Sequence, residues 1–258
     1  MQCVLDVGGG LHEPRVGRQV EQLSERVFSA QQVIPGRMVL RMSSFHRSRI
    51  PAALRRWVPV RAQEALRRAE LRYARYWTPE AEFTRRLGDF YSTPDPWGMA
   101  SAREQFRFLR TNDILQKLIE PAREVSSILE IGCAEGHQSE YLQRLCRQLV
   151  GIDVASIAID RARARVPTAE LVVGNLEDQP WLRNGRRFDI VTACEVLYMV
   201  RNVPKTLRLM SQLADRCLVT YFEPVAYIVH APLQRIPVEG RASFTYNSTT
   251  WHALWWRS

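Results

Sequence analysis

Lysine is nearly missing from this 258-residue chain: two Lys stand against 34 Arg, so its arginine richness is a general bias before it is a sign of any partner. Cysteine is sparse and unpatterned. The five (Cys3, Cys133, Cys146, Cys194 and Cys217) are odd in number and never spaced C-x-x-C. That argues against a disulfide framework or zinc site, so no metal is expected, and it favours a reduced, cytoplasmic compartment. No stretch approaches the roughly 18 apolar residues needed to span a bilayer. The start, MQCVLDVGGGLHEPR, lacks the basic region and apolar core of a secretory signal.

Acidic residues are scarce in one place only. Between Arg37 and Thr78 eleven Arg meet just Glu64 and Glu70, while the rest of the chain carries 25 basic and 25 acidic residues. The formal +9 therefore belongs to one segment, and any basic partner surface is local. Residues 1–36 show little periodicity beyond a short helical pattern at Val20–Phe28 and read as a poorly ordered leader; Met38 and Met42 are alternative start sites. Residues 37–78 read as a basic helical extension, with Ala62, Leu66, Ala69, Tyr73 and Tyr76 at helical spacing and Arg67, Arg68, Arg72 and Arg75 on the other faces. Such a helix suits peripheral contact with an anionic membrane surface, contact with nucleic acid phosphates, or a solvated Arg face on a helix docked to the main domain. The chain-wide preference for Arg favours the last of these.

The remaining residues, 79–258, suffice for one α/β domain. Thr78, Pro79 and Glu80 start a helix that Gly88 can end. After the Pro-Asp-Pro-Trp turn, Ser101 and Glu104 form a capping box leading a helix to about Ile119. Residues 79–120 thus read as a helical lid over the mouth of a sheet spanning 127–222. That sheet is predicted from strands ending at Ile131, Asp153, Val173, Ala193 and Phe222, which alternate with helices. One helix carries Tyr141, Leu142, Leu145, Cys146 and Leu149; another runs over Ser156–Arg165; a third starts at Asn202 and Pro204. The alternation implies a doubly wound, Rossmann-like, mostly parallel sheet with helices on both faces, plus the N-terminal helical extension. Residues 223–258 form the edge, as an antiparallel hairpin of Phe244–Asn247 and Trp251–Trp256 or a final helix capped by Ser248. An end so soon after Trp255 and Trp256 suggests a tightly docked or truncated terminus.

The most informative stretch is Ser127–Asp153: an apolar strand, a loop with Gly132 and Gly136, a helix, and a second strand ending on an acid. Small residues let a backbone approach a nucleotide, and an acid about 20 residues later can bind ribose hydroxyls. On such sheets ligands bind beyond the carboxyl ends of the strands. The residues to suspect are accordingly Gly132–Gly136, Asp153, Asn175–Glu177 and Cys194–Tyr198.

ILEIGCAEGH, GID, GNLED and FDIVTACEVLYMV resemble the successive motifs of class I S-adenosylmethionine-dependent methyltransferases, over about residues 90–222. DPWG with Glu104 and Phe106, then LEIGCAEG and CEVLYM, is more narrowly similar to small-molecule N-methyltransferases of the nodulation protein S (NodS) type. The resemblance implies S-adenosyl-L-methionine as cofactor. Glu130, Gly132, Cys133, Ala134 and Gly136 would flank its methionine part, mainly through backbone. Asp153 would accept from the ribose hydroxyls, and Asn175 with Leu176 would stand at the adenine, where the family usually has an acid before the Leu. Ala134 replaces the usual middle glycine at little expected cost. Glu195, near the sulfonium, would orient or deprotonate a substrate amine, or else fix the loop or cofactor. Tyr198 and Trp97 would wall the substrate or cofactor. His137 reads as a helix start.

The D/N-P-P-[YF] run typical of DNA or glutamine amino methylation is absent, with Cys194–Leu197 (CEVL) in its place, and no Pro-Cys pair suits attack on C5 of pyrimidines. The expected partner is therefore a small-molecule substrate, with a sugar or oligosaccharide amine first. The alternatives are O-methylation, RNA methylation using the basic extension as an arm, and a cofactor-binding homologue without catalysis. Nothing in the sequence addresses oligomeric state.

Overall fold

A computed structural model of the chain describes residues 74–119 and 124–258. The expected leader, the helical pattern at Val20–Phe28 and the basic extension up to residue 73 lie outside the described residues. A helical turn at 74–77 leads into α1 (Glu80–Phe90), which runs two residues past Gly88. The proline-containing turn follows, then α2 (Ala102–Leu118). Among the described residues no helix is long and apolar enough to cross a membrane.

Five parallel strands form the centre: β1 (Ser127–Ile131), β2 (Gln148–Asp153), β3 (Glu170–Val173), β4 (Phe188–Cys194) and β5 (Ala214–Phe222). Their runs of Val, Ile and Leu are buried on both sides, as parallel strands between helices require. The sheet order is β3-β2-β1-β4-β5-β7-β6, so the direction of winding reverses between β1 and β4 and opens a crevice there. Alternation along β1 divides the core. Leu129 and Ile131 join Met210 and Leu213 of α6 (Val203–Leu213) and Val229 of α7 (Ala226–Leu233) on one face. On the other face Ile128 meets Leu115 of α2 and Leu142 of α3 (Ser139–Leu142). Two further helices, α4 (Ser156–Arg165) and the short α5 (Trp181–Asn184), complete the connections. The start of α6 matches its sequence signals: the Asn202 side chain accepts from the Lys205 N–H at 3.0 Å, with Pro204 in the first turn.

Three expectations change. The helix after the glycine loop stops at Leu142, followed by a 3₁₀ turn (Gln143–Leu145), and Leu149 is a buried strand residue of β2. Spacings of three and four fit that Leu as well as strand alternation does, and the sheet's demand for a neighbour to β1 decides it. No capping box forms at Ser101, whose hydroxyl donates to the Gly98 carbonyl at 2.7 Å while Glu104 turns to Arg107. The C-terminal segment is a hairpin, with β6 (Gly240–Tyr246) longer than expected and α7 preceding it. Its turn residues Asn247 and Ser248 have φ of 44° and 64°, the left-handed pair that a two-residue hairpin matched to strand twist requires.

The last strand, β7 (Thr249–Arg257), lies antiparallel between β5 and β6. Trp256 is 1% exposed within the core, and its indole Nε1 donates to Ser211 Oγ on α6 at 2.9 Å. Gly240 is required opposite Trp255, since a Cβ there would lie 2.3 Å from the indole ring. Trp256→Ala is expected to destabilise the protein by about 3–5 kcal/mol, the usual cost of emptying a buried Trp site. Urea unfolding of the two proteins measures it; a loss under about 1 kcal/mol would mean the terminal strand is only loosely held.

Candidate active site

Backbone conformation shapes the loop that leaves β1. Gly132 has φ of 73°, and a Cβ on it would lie 2.3 Å from the Val196 side chain, so only glycine lets this loop press against the one after β4. At Gly136 (φ 79°) a Cβ would meet the Ala162 backbone of α4 at 3.2 Å. Ala134 between them has φ of 49°. Its replacement of glycine is therefore not free: a left-handed alanine costs about 1–2 kcal/mol. Cys133 turns its side chain down among Ile159, Ala162 and Val166, and burial pushes its thiol well up, so it offers a ligand main chain alone.

Asp153 fastens this loop. One carboxylate oxygen accepts from the Ala134 N–H at 3.0 Å and the other from the Ala155 N–H at 2.9 Å. Burial raises its pKa while these backbone donors oppose the rise. A carboxylate has about four acceptor sites, so capacity remains for a ligand hydroxyl. The Asp153 carbonyl also takes the Gly174 N–H at 2.9 Å, which brings in the turn after β3. There Leu176 is buried in the core, while Glu177 is exposed and paired with Lys205. Asn175 is partly buried, and its main-chain carbonyl accepts from the Gln179 side chain at 3.0 Å. Trp97 packs with Phe90 (ring centroids 4.6 Å apart) beside Ala134 and Ala155, and its Nε1 donates to the Tyr91 hydroxyl at 2.8 Å. Gly132, Ala134, Asp153, Asn175 and Trp97 are thus grouped around the carboxyl ends of β1, β2 and β3.

The turn holding Trp97 is braced to the same loop. The Asp95 N–H donates to Glu135 at 2.9 Å, and Glu135 in turn pairs with Arg161 of α4. The Asp95 carboxylate takes the Met99 and Ala100 N–H groups at 2.6 and 2.9 Å. His137 is buried beside this brace just ahead of α3, and burial lowers its pKa.

Charge is buried on the α2 side. Glu130, two residues before Gly132, accepts from Ser139 Oγ, and desolvation moves its pKa up to about 7 against the pull of Arg107. Arg107 is 1% exposed; its Nε donates to Glu104 at 2.7 Å and its Nη1 to Gln138 Oε1 at 3.0 Å. Glu195, immediately after β4, has φ of 58° and a pKa likewise pushed by burial to about 7. Its carboxylate accepts from Thr220 Oγ1 and the Phe222 N–H, both at 3.2 Å. Tyr198 is buried edge-on to Phe222, ring centroids 5.7 Å apart. Sequence reasoning missed Arg107 and Gln138, and used Glu104 as a cap and as part of the resemblance, not as a partner of a buried Arg. The signal was present: Glu104, Arg107, Phe108, Thr111, Asn112 and Leu115 are the buried face of α2, so an ion pair occupies two core positions of a helical stripe.

Residues 101–257 match the family described as "Methyltransferase domain". "Nodulation protein S" of Bradyrhizobium diazoefficiens is 33% identical over 110 residues, which are 42% of this chain and 51% of that protein. A "probable S-adenosylmethionine-dependent methyltransferase" of Mycobacterium tuberculosis is 30% identical over 77 residues, 30% of this chain and 28% of the other. The chain spans about half the length, or less, of these curated relatives. Among solved structures, the N-methyltransferase NodS of Bradyrhizobium japonicum in complex with S-adenosyl-L-homocysteine shares the fold, with a TM-score of 0.56 and 20% identity over 68% of this chain and 97% of that one.

The raised carboxyl of Glu130 has a measurable consequence. The unfolded chain releases that proton near the ordinary value of 4.5, the folded chain only near 7. Its contribution to stability is therefore complete below pH 4.5 and is lost as pH rises to about 7. Glu130→Gln should flatten the fall in unfolding free energy between pH 5 and 8 relative to the parent, by roughly 2–3 kcal/mol. Identical pH profiles would place the raised carboxyl elsewhere.

Proposed function

The chain belongs to the methyltransferase domain family, and on that premise we propose that it transfers a methyl group from S-adenosyl-L-methionine to a small-molecule acceptor, with an amine of a sugar or oligosaccharide as the specific reading. The observation that carries the proposal is the Asp153 carboxylate, held by the Ala134 and Ala155 N–H groups at the edge of a loop built of small residues, with acceptor capacity left over. Gly132 stands beside it without a Cβ, which lets the Val196 side chain pack there and holds this loop against the one after β4. These residues fit the cofactor. Asp153 would take the ribose hydroxyls, Asn175 and Leu176 the adenine, and the main chain from Gly132 to Gly136, with Glu130 beneath, the methionine part. Trp97 would cover it. When bound, the cofactor supplies an electrophilic methyl group on a sulfonium.

The chain's own contribution is position and proton control. An attacking atom held in line reacts far faster than one that diffuses, and rigid anchoring of the walls achieves this. Glu195 is anchored at both oxygens to β5, so it presents a fixed carboxyl to the crevice. With a pKa near 7, it is suited to take the proton that an ammonium acceptor must lose before attack. That match of proton affinities favours an amine over a hydroxyl, which needs a stronger base. The local likeness to nodulation protein S supports the same choice. Tyr198 and Phe222 supply an aromatic wall beside it.

Two measurements test this. With cofactor tritiated in its methyl group, label should pass to an amine-containing metabolite fraction and not to RNA. Cofactor binding with no label in either pool would end the enzyme reading. Asp153→Ala should weaken S-adenosylhomocysteine binding by tenfold or so in calorimetry, from the loss of a charged hydrogen bond; unchanged affinity would place the cofactor elsewhere.

A further inference from the structure

Three side chains of metal-ligating type meet where the Trp97 turn touches the loop after β1. One carboxylate oxygen of Asp95, one of Glu135 and a ring nitrogen of His137 all lie within 4.8 Å of one another. The group joins segments far apart in sequence, since Glu135 and His137 flank Gly136 while Asp95 belongs to the turn before α2. His137 is 6% exposed, and its Nδ1, shut off from solvent, has no hydrogen-bond partner. A buried polar atom in that position has lost its hydration and gained nothing in return.

An imidazole nitrogen with two carboxylate oxygens is a donor set for zinc and similar divalent ions. It uses no cysteine, so the unpatterned cysteines that argue against a zinc site in the sequence do not bear on it. Bonds of about 2.0–2.2 Å place neighbouring ligands of a tetrahedral ion about 3.4 Å apart, so atoms already within 4.8 Å of one another close on it by a small inward shift. The local charge also suits a cation. The Asp95 carboxylate accepts only the Met99 and Ala100 N–H groups and has no cationic partner among the described residues. Glu135 gives one oxygen to Arg161 and the other to the Asp95 N–H. Each carboxylate oxygen can accept twice, so both groups keep room for an ion, and the existing bonds hold them in orientation. Arg165, the other cation near His137, donates to the Glu135 carbonyl and is offset by Glu140 at 3.5 Å. Asp95 is half-buried and follows the exposed Thr93 and Pro94, so a bare ion reaches the group from the solvent side of the turn.

We propose that Asp95, Glu135 and His137 bind one divalent transition-metal ion, with zinc as its representative, and that this ion fastens the Trp97 turn to the loop after β1. In calorimetry on the full chain, stripped beforehand with a chelator, zinc should bind saturably at a site that His137→Gln weakens at least tenfold. Magnesium, which prefers oxygen ligands and water, should not displace it. If His137→Gln does not fold, Asp95→Asn, a change at a partly exposed side chain, should weaken zinc binding several-fold. In hydrogen exchange, zinc should slow the backbone amides of residues 93–100 in the parent and leave them unchanged in the variant.

No saturable binding overturns the proposal, and so does binding that persists unchanged in whichever variant folds, which would put the ion on cysteines or other histidines. Bound zinc without slowed exchange in the turn overturns the fastening. Neither measurement involves S-adenosylhomocysteine, so the outcome does not depend on the methyltransferase reading.

Discussion

One carboxylate fixes the geometry of the crevice. Asp153 accepts the Ala134 N–H with one oxygen and the Ala155 N–H with the other, while its carbonyl receives the Gly174 N–H. The loops after β1, β2 and β3 are thereby held at a single residue. The loop after β4 joins through contact, because Gly132 leaves room for the Val196 side chain. Four chain segments that are far apart in sequence are locked together by main-chain hydrogen bonds and one missing Cβ. A site assembled this way tolerates varied side chains as long as the small residues and the acid stay. It also explains how Ala134 persists in a left-handed conformation: the hydrogen bond its N–H makes to a buried carboxylate is of the strength that offsets such strain.

Electrostatics divide the molecule into two regimes. Outside, Arg pairs with Glu or Asp at helical spacing, as Arg85 does with Glu82 and Asp89 or Arg163 with Asp160, and such solvent-screened pairs contribute little. Inside, the α2 face places Glu104 and Arg107 against Gln138, with Glu130 and Glu195 near enough for their pKa values to feel Arg107. Buried charge of this kind seldom adds stability over apolar packing. Its worth lies in setting the protonation of two carboxyls that flank the crevice, both poised near 7 by desolvation and held from rising further by the guanidinium. Among the described residues Arg75 and Arg107 are the buried arginines, and the others lie at or near the surface.

How legible this was depended on which physical signal dominated locally. The parallel strands could be read because burial on both faces leaves continuous apolar runs, and their ends because each run stops at Gly132, Asp153, Gly174 or Glu195. Asp153 was singled out in the sequence as an acid for ribose hydroxyls, and what the sequence did not state is that it also ties the loop together. The helix after the glycine loop was overdrawn to Leu149 because spacings of three and four do not exclude a strand once the run is short. Glu104 was taken for a cap since Ser-x-x-Glu is a local rule, and a buried Arg three residues on overrode it. The hairpin at the end was left open against a helix, and the left-handed pair Asn247 and Ser248 decides it by conformations that a sequence states only weakly.

The strong arginine bias had the opposite effect, hiding information instead of supplying it. With 34 Arg in the chain, Arg75 and Arg107 look like two more members of a solvated face. Only their burial separates them, and they separate in different ways. Arg107 is compensated by Glu104, whereas Arg75, which makes no ion pair among the described residues, lies against the Tyr76 ring and donates to the Tyr198 carbonyl. The loop that Asp153 holds is built from backbone, small residues and an acid, features that recur wherever a nucleotide must be approached closely and that a sequence states openly, whereas the burial of one arginine among many is something it does not state.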